Sequence, residues 1–110
     1  MQIKKTYYGI NPELLFDEVK DFVQKQGTIV DESRMETYSL PTDSSSFISR
    51  GTLTFKTGGR ECLRAHLIGS TRTEVKLILE INEELFPSGK ISALTDDIDF
   101  VFGSYEKKPR

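Results

Sequence analysis

Residues 47–82 read FISRGTLTFKTGGRECLRAHLIGSTRTEVKLILEIN, and two properties of this stretch decide the fold. The first is alternation. Ser49, Gly51, Leu53 and Phe55 share one side of an extended chain. Leu63, Ala65 and Leu67 do the same, as do Val75, Leu77, Leu79 and Ile81. A period of two places such residues on one face of a strand. The second property is punctuation. Thr57-Gly58-Gly59-Arg60 sets two glycines together, and glycine accepts the positive φ angles of a tight hairpin. Gly69-Ser70-Thr71-Arg72 marks a second turn. Three strands joined by short turns form an antiparallel meander with one apolar face.

The flanking segments supply the cover for that face. Upstream, residues 2–8 read as a strand ended by Gly9. Asn11 is an N-cap, Pro12 suits the first helical position and Glu13 complements the positive helix end. Leu15, Val19, Phe22 and Val23 recur at helical spacing, and Lys25 and Gly27 suit a helix terminus, which predicts a helix over 12–26. Residues 28–40 read as strand with an irregularity near Asp31-Glu32-Ser33, as one bent strand or two short ones. Pro41 to Ser46 has loop chemistry. Downstream, Pro87-Ser88-Gly89 breaks the chain. A second helix is expected from Ile91 to Tyr105, with Ile91, Leu94, Ile98, Val101, Phe102 and Tyr105 on one stripe. Residues 106–110 lack an apolar anchor and read as a frayed tail.

The order β-α-β-β-β-β-α gives an α+β domain: a curved antiparallel sheet with two helices on one face. The other face is open to water or covered by a partner. This order resembles the TATA-binding-protein-like fold, including that protein's half-repeat and the larger helix-grip domains. The resemblance covers nearly the whole chain and is one of topology, so it implies a fold and no function.

Composition narrows the function mainly by exclusion. The 110 residues make one domain, 1–110, of 36% apolar and 29% charged composition with a net charge of −2. A dedicated nucleic-acid binder carries a clear basic excess, so nucleic acid is a less favoured partner here. Cys62 is the one cysteine, so no disulfide forms within the chain, which fits a reducing compartment. No apolar run suits a leader or a membrane span, so the expectation is a cytoplasmic chain with no membrane contact.

Chemistry-bearing residues are few. His66 and Cys62 lie four residues apart on one strand face, roughly 13 Å along the chain, too far for a nucleophile and its base. Asp96, Asp97 and Asp99 lack the spacing of a calcium loop and read as charge near a helix N-terminus. Gly58-Gly59-Arg60 lacks the strand-loop-helix setting of a phosphate loop, and a hairpin explains it. No catalytic residue, cofactor or metal site is expected, and the reading is a non-enzymatic domain.

The outward sheet face is the better candidate. It is expected to carry Lys4, Thr6, Tyr8, Glu36, Tyr38, Leu40, Ile48, Arg50, Thr52, Thr54, Lys56, Cys62, Arg64, His66, Ile68, Glu74, Lys76, Ile78 and Glu80. Cations outnumber anions there, with threonines, tyrosines and isoleucines between them. A solvated sheet face also alternates Thr, Lys, Arg and Glu, and that plainer reading stands beside the functional one. If the isoleucines cluster, the face has the character of an interface. The candidate binding residues are Arg50, Thr52, Lys56, Arg64, His66 and Lys76, with Tyr8 and Tyr38 at the margin. The expected partner is a protein, including a second copy as a homodimer, ahead of nucleic acid. A carrier of an apolar ligand is the rival, with Phe55, Phe100 and Phe102 as the lining.

Overall fold

A computed structural model describes residues 1–40, 43–70 and 74–106. Strand β1 (Gln2–Tyr8) leads into helix α1 (Pro12–Lys25). Strands β2 (Ile29–Leu40), β3 (Asp43–Thr57), β4 (Arg60–Ser70) and β5 (Glu74–Ile81) follow, then helix α2 (Lys90–Phe102) and a 3-10 turn (Gly103–Tyr105). The five strands form one antiparallel sheet in the order β1-β5-β4-β3-β2. Helix α1 thus carries the chain from one edge of the sheet to the other.

The local causes match the residues. Asn11 Oδ1 accepts the Glu13 N–H at 2.8 Å and Pro12 takes the first helical position. At the other end of α1, the Thr28 hydroxyl donates to the Val23 carbonyl at 2.8 Å. Gly58 and Gly59 adopt φ of 60° and 81° between paired Thr57 and Arg60, which is the two-residue hairpin expected from their sequence. Residues 28–40 resolve as one strand: the irregularity is a register shift between Val30 and Glu32. Strand β3 starts at Asp43, earlier than the loop chemistry implied, because Asp43 pairs with Leu40. Pro41 and Thr42 of the expected loop, and Thr71 and Arg72 of the second turn, lie outside the described residues.

Both helices pack on one sheet face. Leu15, Phe16, Val19 and Val23 of α1 and Leu94, Ile98 and Phe102 of α2 are buried against Leu53, Phe55, Leu63, Ala65, Leu67, Val75, Leu77, Leu79 and Ile81. Helix α1 comes close because Gly51 and Gly69 present no side chain beneath Phe16 and Pro12. Two side chains tie α2 down on either flank. Asp97 meets Gln26 (3.4 Å) and Lys25 (4.0 Å) of α1, and Asp99 meets Lys5 (3.4 Å) of β1. The aspartates therefore sit inside the helix as lateral ties and not in its first turn, which begins at Lys90 after an uncapped Gly89. Glu106, first of the expected tail, bridges to Tyr7 and pairs with Lys5 at 2.9 Å. Residues 107–110 lie outside the described residues.

Candidate functional site: the open sheet face

The register places the outward side chains in cross-strand rows. One row runs Lys4, Ile78, His66, Thr52, Arg34 from β1 to β2. The next runs Thr6, Lys76, Ile68, Arg50, Glu36. Toward the β4 start lies Gln2, Glu80, Arg64, Thr54, Glu32. Toward the β4 end, Tyr8 pairs with Glu74, and Ile48 pairs with Tyr38.

Several candidate residues meet and others do not. Thr52 and His66 are direct cross-strand partners, and Arg50 and Lys76 flank Ile68. Lys56 and Arg64 stand at the far end of their strands. Lys56 pairs with Asp31 at 3.3 Å, and Arg64 with Glu61 at 3.0 Å. Tyr8 and Tyr38 occupy opposite edge strands, about 19 Å apart at four strand spacings. Each is held by a carboxylate: the Tyr8 hydroxyl donates to Glu74 at 2.9 Å, and the Tyr38 hydroxyl to Glu36. That hydrogen bond to Glu36 raises the Tyr38 pKa above its ordinary value.

Two residues assigned to this face do not present themselves on it. Cys62 is buried, because a register shift between Phe55 and Lys56 leaves it without a partner in the ladder. Its sulfur accepts the Thr57 hydroxyl at 3.3 Å. Thr54, between Arg64 and Glu32, is also buried. Conversely, Arg34 and Glu32 belong to the face and were absent from the sequence reading. Counting back by twos from Tyr38 through Glu36 would have found Arg34, but the irregularity at Asp31 obscured the side.

Ion pairs leave an uneven surface. Arg34 is 3.7 Å from Glu32 and 3.6 Å from Glu36, and Lys76 is 3.6 Å from Glu74. Among the described residues, Arg50 and Lys4 have no ion-pair partner, and His66 has no carboxylate partner. Arg50 faces Glu36 in register, but Glu36 is already engaged by Arg34 and Tyr38.

The isoleucines do cluster. Ile48 on β3, Ile68 on β4 and Ile78 on β5 each step one strand over and one row along. Such diagonal neighbours lie about 7 Å apart, within reach of one another's side chains. Tyr38 extends the line beside Ile48. Ile48 is 42% and Ile68 45% exposed. The result is an apolar diagonal with Arg50 and Lys76 on its two sides.

The proposed carrier lining does not assemble. Phe55 and Phe102 are buried in the core, whereas Phe100 is 91% exposed on the far side of α2. Val101, inside α2 but beside its buried stripe, and Tyr105, beyond the helix end at Phe102, are exposed as well. A concavity of about 920 Å³ is an open groove at one end of the sheet, lined in part by Glu61, Cys62, Arg64, Glu80 and Asn82. Among the described residues no group of His, Cys, Asp and Glu could hold a metal ion, and no helix is long and apolar enough to cross a membrane. No family model, curated protein or solved structure matches the chain.

Proposed function

We propose that this domain is a binding module and that its open sheet face takes a protein segment combining acidic and apolar side chains. The diagonal of Tyr38, Ile48, Ile68 and Ile78 flanked by Arg50 and Lys76 carries this reading. A solvated face scatters its apolar residues, while a contiguous stripe of exposed Tyr38, Ile48 and Ile68 and half-buried Ile78 beside Arg50 has the composition of an interface. Arg50 supplies the charge, being free of an ion pair among the described residues and set between Ile48 and Thr52 along β3. Thr52 and His66 offer hydrogen bonds next to the stripe. Lys56, Arg64 and Tyr8 lie at its periphery, with Arg64 and Lys56 already neutralised.

The net charge of −2 favours a protein over nucleic acid. The likeness to the TATA-binding-protein-like order contributes nothing to this choice. A cytoplasmic setting suits the module, with its single cysteine buried as a thiol.

The test is fluorescence anisotropy with a labelled random Glu-Tyr copolymer. Arg50→Glu and Ile68→Ser should each weaken binding roughly tenfold or more. Asp96→Lys, on the helix side, should not weaken it. Equal affinities for wild type, Arg50→Glu and Ile68→Ser would refute the reading.

A further inference from the structure

The two edges of the sheet are treated differently. Strand β1 is guarded at its C-terminal end: Glu106 bridges to Tyr7, and Lys5 clasps Asp99 and Glu106. Strand β2 pairs with β3 on one side and with nothing described on the other. An open edge is a row of unpaired N–H and C=O groups, a template for another strand. Of the usual guards, proline and lysine are absent from Ile29–Leu40, which reads IVDESRMETYSL; the register shift between Val30 and Glu32 guards only the start of the strand, and the charges that follow, Glu32, Arg34 and Glu36, alternate in sign.

We propose that this edge binds a second copy of the chain, β2 against β2, antiparallel about a two-fold axis through Met35. Three observations converge on that register. The stretch from Glu32 to Ser39 runs regularly between two register shifts, and its two central residues are Met35 and Glu36, of which an axis through Glu36 would oppose glutamate to glutamate. The axis sets Arg34 opposite Glu36 of the second copy, and Glu36 opposite its Arg34. It also brings Glu32 opposite Tyr38, so the Tyr38 hydroxyl, which now donates to Glu36, gains an acceptor across the axis.

Neighbouring registers are worse. An axis through Arg34 opposes arginine to arginine and Glu32 to Glu36. An axis through Ser33 runs the pairing into the irregularity at Asp31. An axis falling between residues puts the helix layers of the two copies on opposite sides of the sheet. The Met35 register keeps both open faces on one side, so the cross-strand rows continue over ten strands. Each copy uses the same patch, so the contact closes as a dimer and does not propagate.

Sedimentation velocity of the full chain over a concentration series tests this, with far-UV circular dichroism to check folding. Wild type should dimerise below about 1 mM. Arg34→Glu alone and Glu36→Arg alone should each raise the dimer dissociation constant roughly tenfold or more, since each opposes like charges twice. The double variant R34E/E36R should restore it. Mixing the two single variants should also restore it, as a heterodimer with complementary pairs. A monomeric wild type, or a dimer indifferent to these reversals, would overturn the proposal. Loss of the dimer in Arg50→Glu with no effect of Arg34→Glu would place self-association on the open face and overturn it as well. Copolymer binding through Arg50 and Ile68 is read separately, so either proposal can fail alone.

Discussion

Gly51→Ala puts the packing of α1 on the sheet to a direct test. A Cβ built on Gly51 would lie 2.6 Å from Phe16 Cδ2, 2.8 Å from its Cε2 and 3.4 Å from Met35 Cε. Carbons in ordinary contact sit about 3.5–4.0 Å apart, so the ring would have to retreat by about 1 Å. Phe16 is buried on α1 beside Leu15 and Val19, and its retreat lifts the helix or forces the ring off its rotamer. Overpacking of this kind costs about 1–3 kcal/mol. The loss of unfolded-state freedom returns about 0.4–1 kcal/mol. The expected net loss is about 1–2 kcal/mol, a drop of about 0.5–1 M in the urea midpoint at a typical slope for this size. The assay is urea unfolding followed by far-UV circular dichroism. In a Phe16→Leu background the cost of Gly51→Ala should shrink, because the two sites are coupled. An unchanged or higher midpoint for Gly51→Ala would refute the reasoning, as would an equal loss in both backgrounds. Gly103→Ala is the contrast: its φ is −57° and a Cβ there meets nothing within 4 Å, so it should be neutral or stabilise by up to about 1 kcal/mol.

Further outcomes follow from the caps and the titrating groups. Asn11→Ala removes the acceptor for the Glu13 N–H and should cost about 1 kcal/mol, read from the same urea midpoint. Stability should fall as pH rises past about 10. Burial, with help from Glu106 and Asp99, pushes the Tyr7 hydroxyl well up, and the Glu106 hydrogen bond holds the Lys5 ammonium up. Both groups keep their protons longer in the folded state than in the unfolded chain, so the unfolded chain loses them first and gains ground above their unfolded pKa values. Tyr7 alone then contributes a slope of about 1.4 kcal/mol per pH unit, and Tyr7→Phe should flatten the alkaline decline. At neutral pH Tyr7→Phe should be neutral or stabilising, because the buried Tyr7 hydroxyl has no hydrogen-bond partner among the described residues.

The meander was legible because its signals are local. Alternation set the inward faces of β3, β4 and β5, and two adjacent glycines located the hairpin between Thr57 and Arg60. The capped, periodic α1 was equally plain, because Asn11, Pro12 and the Leu15–Val23 face act within one element. What stayed hidden depends on pairing across elements. The shift at Asp31 was visible as an irregularity, but its parity was not, and Arg34 was lost from the face with it. Nothing in the local sequence marks the shift between Phe55 and Lys56 that buries Cys62, since neither partner strand carries a glycine there. Helical spacing put Val101 and Tyr105 on the buried stripe of α2, yet the stripe that is buried runs Leu94, Ile98 and Phe102, which leaves Val101 beside it, and Tyr105 falls after the helix ends. The composition of the open face was legible, but its apolar diagonal needed the register between three strands.

The most direct test of the open face as a binding surface is a backbone-amide NMR titration of the labelled chain. The probes are the Glu-Tyr copolymer and, separately, a mixed-sequence oligonucleotide, each at low and moderate salt. Copolymer shifts should centre on Ile48, Arg50, Thr52, His66, Ile68 and Lys76 and persist at moderate salt, because apolar contact carries part of the affinity. Oligonucleotide shifts should be weak and vanish with salt. Copolymer shifts confined to the helices or to the Glu61–Asn82 groove, or a salt-resistant oligonucleotide response on the same face, would contradict protein binding through the open face.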